Sequence, residues 1–501
     1  MKQAIATLVG AMLTIAGAAS AQDLRIGLQD DPDTLDPAKN FSFVGRHVLS
    51  PLCDKLVDIA PDQSLVPQLA LAWETSPDGR SATMRLRPGV KFHDGEPFNA
   101  AAVKFNIERM LNLPDSRRKS EISVVTGAEA IDELTVRINL ASPFAPLFAQ
   151  FADRAGMMVS PKAAETAGDQ LGSHPVCAGP YKFVRRVIQD RIVLEKFDDY
   201  WNKDAYHFKT ITFTGMPDAT VRLANLRAGQ NDLIERLAAS DIPAVKGDAR
   251  LGLASVTSLA YQGITFNIAN SDKANPAFAR NAKLRQALEL AIDRQSLVDV
   301  VFAGVYVPGN QAFPPGNRFY NADLPVPKRD LARARALVAE SGVAAPSLTL
   351  LVPNDTERQQ VGQVIQSMAK DAGIDIKLQA IEFISMLSQQ RQGNFEATLV
   401  GWSGRVDPDG NLHQLLTCTA PTNDAKYCNP ELDRVLNEAR GKSDLALRKT
   451  LYDKAAAILA QDRPVIYLFH NPWIFAFSAK MEGFVPYPDG IIRLAGVRFK
   501  Q

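Results

Sequence analysis

The chain has 501 residues, 56 Lys plus Arg against 55 Asp plus Glu, and 46% hydrophobic residues. That length is too great for one compact core, so two or three domains are expected. Setting aside Lys2 with the leader described next leaves 55 basic against 55 acidic residues, a balance that argues against a nucleic-acid partner and against membrane-surface binding through a basic patch.

Residues 1–21 have the pattern of a secretory signal peptide. Lys2 gives the positive start, residues 4–18 are apolar or small, and Ala19-Ser20-Ala21 is a small-residue cleavage site. The expected mature start is Gln22, with no cysteine there to carry a lipid anchor, and no other stretch approaches the apolar length of a membrane span. The mature chain is expected to be soluble and periplasmic. In that oxidising compartment the 4 cysteines are expected as disulfides. Cys418 and Cys428 flank a Pro-Thr-Asn-Asp turn and suit a local bridge, leaving Cys53 and Cys177 as the second pair. The alternative, a metal site, lacks any Cys-x-x-Cys and any histidine at zinc-ligand spacing.

In chain order, residues 24–28 read as a strand and residues 41–57 have helical spacing through Val44, Val48, Leu49, Leu52 and Leu56. Ser76-Pro77-Asp78-Gly79 is a turn before the alternating strand 83–86. Residues 101–111 read as a helix with Val103, Ile107 and Met110 on one face.

The run LAWETSPDGRSATMRLRPGVKFHDGEPFNAAAVKFNIERM resembles the family 5 extracellular solute-binding proteins, the periplasmic dipeptide, oligopeptide and nickel receptors of ABC importers. Trp73, Pro77-Asp78-Gly79, Leu86-Arg87, Gly89-Val90, Phe92-His93-Asp94-Gly95 and Pro97-Phe98 carry the likeness. It continues through Pro175-Val176-Cys177-Ala178-Gly179-Pro180-Tyr181, where Cys177 replaces a family glycine, through Asp199-Tyr200-Trp201, and through residues 226–232 and 284–294. His93 and Asp94 are then implied to belong to a structural turn.

The later elements alternate as in an α/β lobe. Residues 264–267 read as the strand crossing to a second lobe. Residues 284–294 form an amphipathic helix with Leu284, Ala287, Leu288, Ala291 and Ile292 on one face and Gly304 near its stop. Strand 348–352, helix 356–372 ended by Gly373, strand 374–378, helix 383–391 and strand 397–401 follow, a rhythm that points to parallel pairing. Residues 427–433 open a further helix, and strand 464–468 returns toward the first lobe.

The last of these strands feeds Gly401-Trp402-Ser403-Gly404-Arg405-Val406-Asp407-Pro408-Asp409-Gly410-Asn411. Loops at the carboxyl ends of strands bind ligands in open α/β sheets. Trp402 can stack, Arg405 can grip an anion with two parallel hydrogen bonds, and Gly401 and Gly404 let backbone approach a ligand. The other reading is a tight turn with surface charges. A nucleophile elbow is ruled out, because Arg405 stands where Gly-x-Ser-x-Gly needs its last glycine.

The resemblance implies an α/β fold, a two-lobed periplasmic-binding-protein clamp (type II-like, cluster C). Lobe I would be residues 22–263 plus 480–501, with a subdomain inserted at about 46–177, and lobe II residues 264–479. It implies a receptor, not an enzyme, that closes on a solute without a cofactor and, as a monomer, delivers it to the ABC permease transmembrane subunits.

The dipeptide branch places an ammonium-gripping aspartate where Arg405 stands and a carboxylate-gripping arginine near Val352-Pro353-Asn354, which has none. The expected cargo is therefore a peptide-like or anionic solute held by Arg405. Asp407 or Asp409 would accept from an amine or hydroxyl, or else pair with Arg405 to shape the loop. Ser403, Gly404 and Asn411 complete the loop's share, and Phe41, Phe43 and Tyr261 are expected from lobe I. A nickel or metallophore receptor, with His413 near the loop, and a receptor for opines or sugar-phosphate conjugates are the alternatives. No nucleophile triad, zinc-helix motif or carboxylate pair supports a hydrolase.

Overall fold

The computed structural model describes residues 23–500, so the expected signal peptide lies outside the described residues. Two large sheets organise the chain. The first runs in the order Leu251–Thr257, Pro472–Ser478, Leu233–Ile234, Asp23–Leu28, Thr210–Gly215, Arg191–Lys196, Tyr181–Val187. The second runs Val307–Pro308, Val465–His470, Tyr261–Phe266, Ala397–Trp402, Ser347–Pro353, Asp375–Ile381. A third sheet of four antiparallel strands, Ala70–Thr75, Ser81–Leu86, Thr135–Leu140 and Val125–Asp132, packs under helix Ala100–Asn112 with its own core of Val103, Ile107, Met84 and Ile138.

The chain passes between the large sheets twice, and the two crossings touch. Thr257 ends a strand of the first sheet and Tyr261 begins one of the second; His470 ends a strand of the second and Pro472 begins one of the first. The Ser258 hydroxyl donates to the Asn471 carbonyl. The His470 ring nitrogen Nδ1 lies 2.9 Å from the Ala260 carbonyl oxygen. Two short, laced linkers between rigid sheets make a hinge. The return lies at Asn471 rather than at the expected boundary after residue 479, because Pro472–Ser478 pairs along its whole length with Leu251–Thr257.

Parallel pairing holds for Ser347–Pro353 with Asp375–Ile381 and with Ala397–Trp402, as the alternation of strand and helix demands. Tyr261–Phe266 runs antiparallel to both of its neighbours, so the second sheet is mixed.

Two helices are shorter than their periodicity. The first spans Phe43–Leu52 and stops at Cys53, which is extended and disulfide-bonded to Cys177. The helix expected over 284–294 breaks at Ile292, because the Asp293 carboxylate caps a new helix, Arg294–Phe302, by accepting from Ser296 N at 2.9 Å. Both disulfides, Cys53–Cys177 and Cys418–Cys428, are formed. No described helix is long and apolar enough to cross a membrane.

Candidate functional site

A cavity of about 200 Å³ lies between the lobes beside the hinge. Its apolar wall comes from Phe41, Phe43 and Trp473 on one side and Tyr261, Phe383 and Trp402 on the other. Its charge is one-sided: Arg117, Arg118, Arg154, Arg236, Arg358, Arg391 and Arg405 face two acids, Glu121 and Asp424.

Local sequence explains how the first lobe presents its aromatics. Asp33 accepts from the backbone N–H of Phe41 at 3.0 Å and of Ser42 at 3.2 Å, and the Ser42 hydroxyl caps helix Phe43–Leu52 by accepting from Gly45 N. That turn fixes Phe41 and Phe43 at the mouth. Phe43 stacks on Trp473 with centroids 4.6 Å apart, and the Arg236 guanidinium covers both rings. Tyr261 stands in the second sheet rather than the first lobe, paired in register with Trp402 and edge-on to Tyr467.

The loop after Ala397–Trp402 is built as a unit by Asn411. Its Oδ1 accepts from Arg405 N at 2.7 Å and from Trp402 Nε1 at 3.0 Å, while its Nδ2 donates to the Arg405 carbonyl at 2.8 Å. Asn411 therefore shapes the loop and does not face the cavity. Gly404 has φ +81°, and a Cβ there would meet Leu259 Cβ and O at 2.3 Å. Its missing side chain brings the loop against the hinge, not against a ligand.

Arg405 does line the cavity beside Trp402 and Ser403, but it is not a free cation. Its Nε lies 2.8 Å from Asp153 Oδ2 on the opposite lobe, and its guanidinium rests 4.5 Å from the Trp402 ring. Burial lowers the guanidinium to about 9, with Asp153 acting the other way. Burial also opposes ionisation of Asp153, yet Arg46 and Arg405 outweigh it and hold the carboxyl well below its usual range.

The two loop aspartates correct the sequence expectation in both its forms. Asp407 receives Arg448 through two bonds of 2.6 and 2.8 Å, and Asp409 receives Arg440 at 2.8 Å. Neither pairs with Arg405, and neither lines the cavity. Burial raises Asp409 to about 6 against the Arg440 guanidinium. His413 contacts Asn437 and Arg440 behind the loop. Among the described residues no three His, Cys, Asp or Glu side chains converge as metal ligands.

Sequence reasoning missed Arg117, Arg236, Arg358, Arg391, Phe383, Asp424 and Trp473. Arg391 ends a helix read correctly as Phe383–Arg391, but nothing in a helical repeat tells which polar residue faces a cleft.

Comparison with known proteins places this arrangement. The model of the bacterial extracellular solute-binding proteins, family 5 middle, matches residues 64–423. The glutathione-binding protein GsiB of Pectobacterium atrosepticum is 31% identical over 500 residues, covering 96% of each chain. GsiB of Salmonella typhi is 30% identical over 486 residues, covering 94% of this chain and 93% of that one. Among solved structures, a dipeptide-binding protein from Pseudoalteromonas sp. SM9913 with Met-Leu superposes with TM-score 0.89 at 23% identity, over 96% of this chain and 100% of that one. AgaA of A. tumefaciens R10 with agropinic acid superposes with TM-score 0.87 at 25% identity, over 96% and 99%.

Proposed function

The chain belongs to the bacterial extracellular solute-binding proteins of family 5 and serves as a substrate receptor of an ABC importer, not as an enzyme; within that role we propose that its cargo is an acidic, peptide-like solute, with glutathione the first candidate. The observation that carries the reading is the charge of the cavity wall: seven arginines line it, and two of them, Arg117 and Arg391, have no ion-pair partner within 4.0 Å among the described residues. In a partly dry cleft, guanidinium groups favour carboxylates or phosphates over neutral ligands. Glutathione has two carboxylates and one ammonium, so it brings the sign the wall lacks, and the names of the curated relatives point to the same molecule. Phe41 and Trp402 supply flat faces for the peptide backbone between charged ends.

Closure follows from differential affinity. A solute that touches both walls stabilises the closed form by the contacts that exist only there. The closed monomer would then dock on the permease transmembrane subunits. Residues 1–21 would direct export to the periplasm and be removed.

The test is calorimetric titration of the mature protein stripped of bound cargo by unfolding and refolding. Glutathione should bind in the micromolar range or tighter, and neutral Met-Leu at least tenfold more weakly. Equal or tighter binding of the neutral dipeptide overturns the acidic-cargo reading. Mass spectrometry of whatever is released from the native preparation checks the same point without a chosen ligand.

A further inference from the structure

Five of the seven cavity arginines have a carboxylate partner: Arg118 with Glu121, Arg154 and Arg405 with Asp153, Arg236 with Glu235, Arg358 with Asp355. Arg117 and Arg391 form no ion pair within 4.0 Å among the described residues. Arg117 lies beyond helix Ala100–Asn112 in the first lobe, and Arg391 ends helix Phe383–Arg391 in the second. Their guanidinium carbons nevertheless converge on one ring, 5.9 and 3.6 Å from the Phe41 centroid. The side chain of Arg391 makes one hydrogen bond, from Nε to the Leu387 carbonyl at 3.2 Å.

Two cations brought to one ring from opposite lobes, with no carboxylate within 4.0 Å of either among the described residues, repel each other. Burial, and after it the charge of Arg117, lower the Arg391 guanidinium, with Asp424 and Asp33 acting the other way. An anion between them removes the repulsion and gains charge-assisted hydrogen bonds from both lobes at once.

Asp424 stands on the same wall. Its backbone carbonyl is fixed by Asn270 Nδ2 at 2.7 Å and its Oδ2 accepts from Gln390 Nε2 at 3.3 Å, but no cation pairs with it within 4.0 Å among the described residues. Burial raises its carboxyl to about 6, with Arg391, Lys426 and Arg117 acting the other way. A fixed, part-buried carboxylate beside two free guanidiniums complements a carboxylate and an ammonium carried on neighbouring atoms.

We infer that Arg117, Arg391 and Asp424 form a receptor for the α-amino-acid head of the cargo, the two guanidiniums closing on its carboxylate from opposite lobes and Asp424 accepting its ammonium. The inference rests on the acidic, peptide-like reading above and narrows it: the free head must carry both charges on one carbon. A γ-glutamyl peptide presents such a head. Its α-linked isomer has the same atoms and net charge but spends the α-carboxyl in the peptide bond.

The experiment titrates wild type, Arg117→Gln, Arg391→Gln and Asp424→Asn with γ-glutamyl-cysteinyl-glycine, its α-glutamyl isomer and free L-glutamate. Arg434→Gln, which removes an exposed arginine outside the cavity lining, is the control, and thermal unfolding verifies that each variant is folded. Wild type should prefer the γ-isomer by at least tenfold. Each cavity variant should lose tenfold or more for the γ-isomer and for L-glutamate, and Arg117→Gln and Arg391→Gln, which remove only carboxylate contacts, should leave the α-isomer unchanged and so abolish the preference. Cavity variants that keep wild-type affinity for the γ-isomer, or for L-glutamate where only it binds, overturn the head receptor and leave the acidic-cargo reading standing. L-glutamate binding that depends on the three residues, with both tripeptides ignored, supports the head receptor and overturns the peptide-like cargo. Wild type that binds none of the three overturns both.

Discussion

Arg405 of the second lobe reaches across the cleft to Asp153 of the first, Nε to Oδ2 at 2.8 Å, with each side chain 7% exposed. Asp153 also takes Arg46 Nε at 3.1 Å and Arg154 N at 2.8 Å, so one carboxylate gathers three basic residues at the point where the lobes meet. Gln150 adds a second contact across the cleft, donating to Asp409 at 3.4 Å, and Ala145 N a third, to the Arg440 carbonyl at 2.9 Å. Arg405 and Asp153 thus latch the two lobes together in this structure.

The latch makes its two ends unequal. Asp153→Ala leaves Arg46, Arg154 and Arg405 without their shared anion, and should destabilise the protein by about 3–5 kcal/mol, as loss of one partner from a buried pair does. Arg405→Gln leaves Asp153 still paired with Arg46 and should lower stability by no more than about half of that. It should also enlarge the ligand-free protein in small-angle scattering by favouring the open form. Equal losses of stability in the two variants would contradict this ordering.

Asp407 is a structural acid, not a ligand acceptor. Asp407→Asn breaks the two-bond pair with Arg448, whose side chain is 5% exposed, and should cost about 2–4 kcal/mol in urea unfolding. Its affinity for cargo should stay within about threefold of wild type, since a factor of three is well under 1.4 kcal/mol. A tenfold loss of affinity at unchanged stability would return Asp407 to the binding site.

Gly404 is required twice over, by its φ of +81° and by the 2.3 Å approach of a Cβ to Leu259 backbone at the hinge. Gly404→Ala should destabilise by about 1–3 kcal/mol from backbone strain alone, and more from displacement of Leu259. The expected readout is a lower melting temperature together with slower closure in stopped-flow tryptophan fluorescence. Wild-type values for both would show that loop and hinge are not pressed together.

The hinge carries an acid-sensitive group. Burial lowers the His470 imidazole from 6.5 to about 4, with its bond to the Ala260 carbonyl acting the other way. The folded chain then binds fewer protons at this site than the unfolded chain between about pH 4 and 6.5, so the contribution to stability is complete above that window and is lost as pH falls through it. The size is on the order of 3 kcal/mol. His470→Gln removes this term while leaving His93 and His413, both also lowered to about 4 by burial, in place. The stability difference between wild type and variant should therefore shrink from pH 7 to pH 4.5 in urea unfolding. A difference independent of pH would refute the assignment.

Much of the fold was legible in local pattern. The alternation of residues 347–402 placed strands and helices within one residue of those observed, except that the strand expected at 374–378 runs on to Ile381, because each element buries a face whose period its own sequence carries. Where the period overran the element, a competing local or covalent contact ended it: the Asp293 cap cut one helix and the Cys53–Cys177 bond another. The strand Pro472–Ser478 fell on the wrong side of the boundary because its apolar run suits either sheet, and only pairing with Leu251–Thr257 chooses.

Ordered motifs and periods read within one segment were enough for the family, the two-lobed α/β plan and the loop that follows Ala397–Trp402, and cysteine spacing for the local Cys418–Cys428 bridge, while Cys53–Cys177 followed only by elimination. The tertiary structure alone decided which charges are free. Nothing in the sequence says that Arg405 is paired and Arg391 is not: Asp153, some 250 positions away, lies 2.8 Å from the first, and among the described residues no carboxylate comes within 4.0 Å of the second. Ion pairing depends on distances of a few ångströms between groups remote in the chain, and no local pattern encodes those distances.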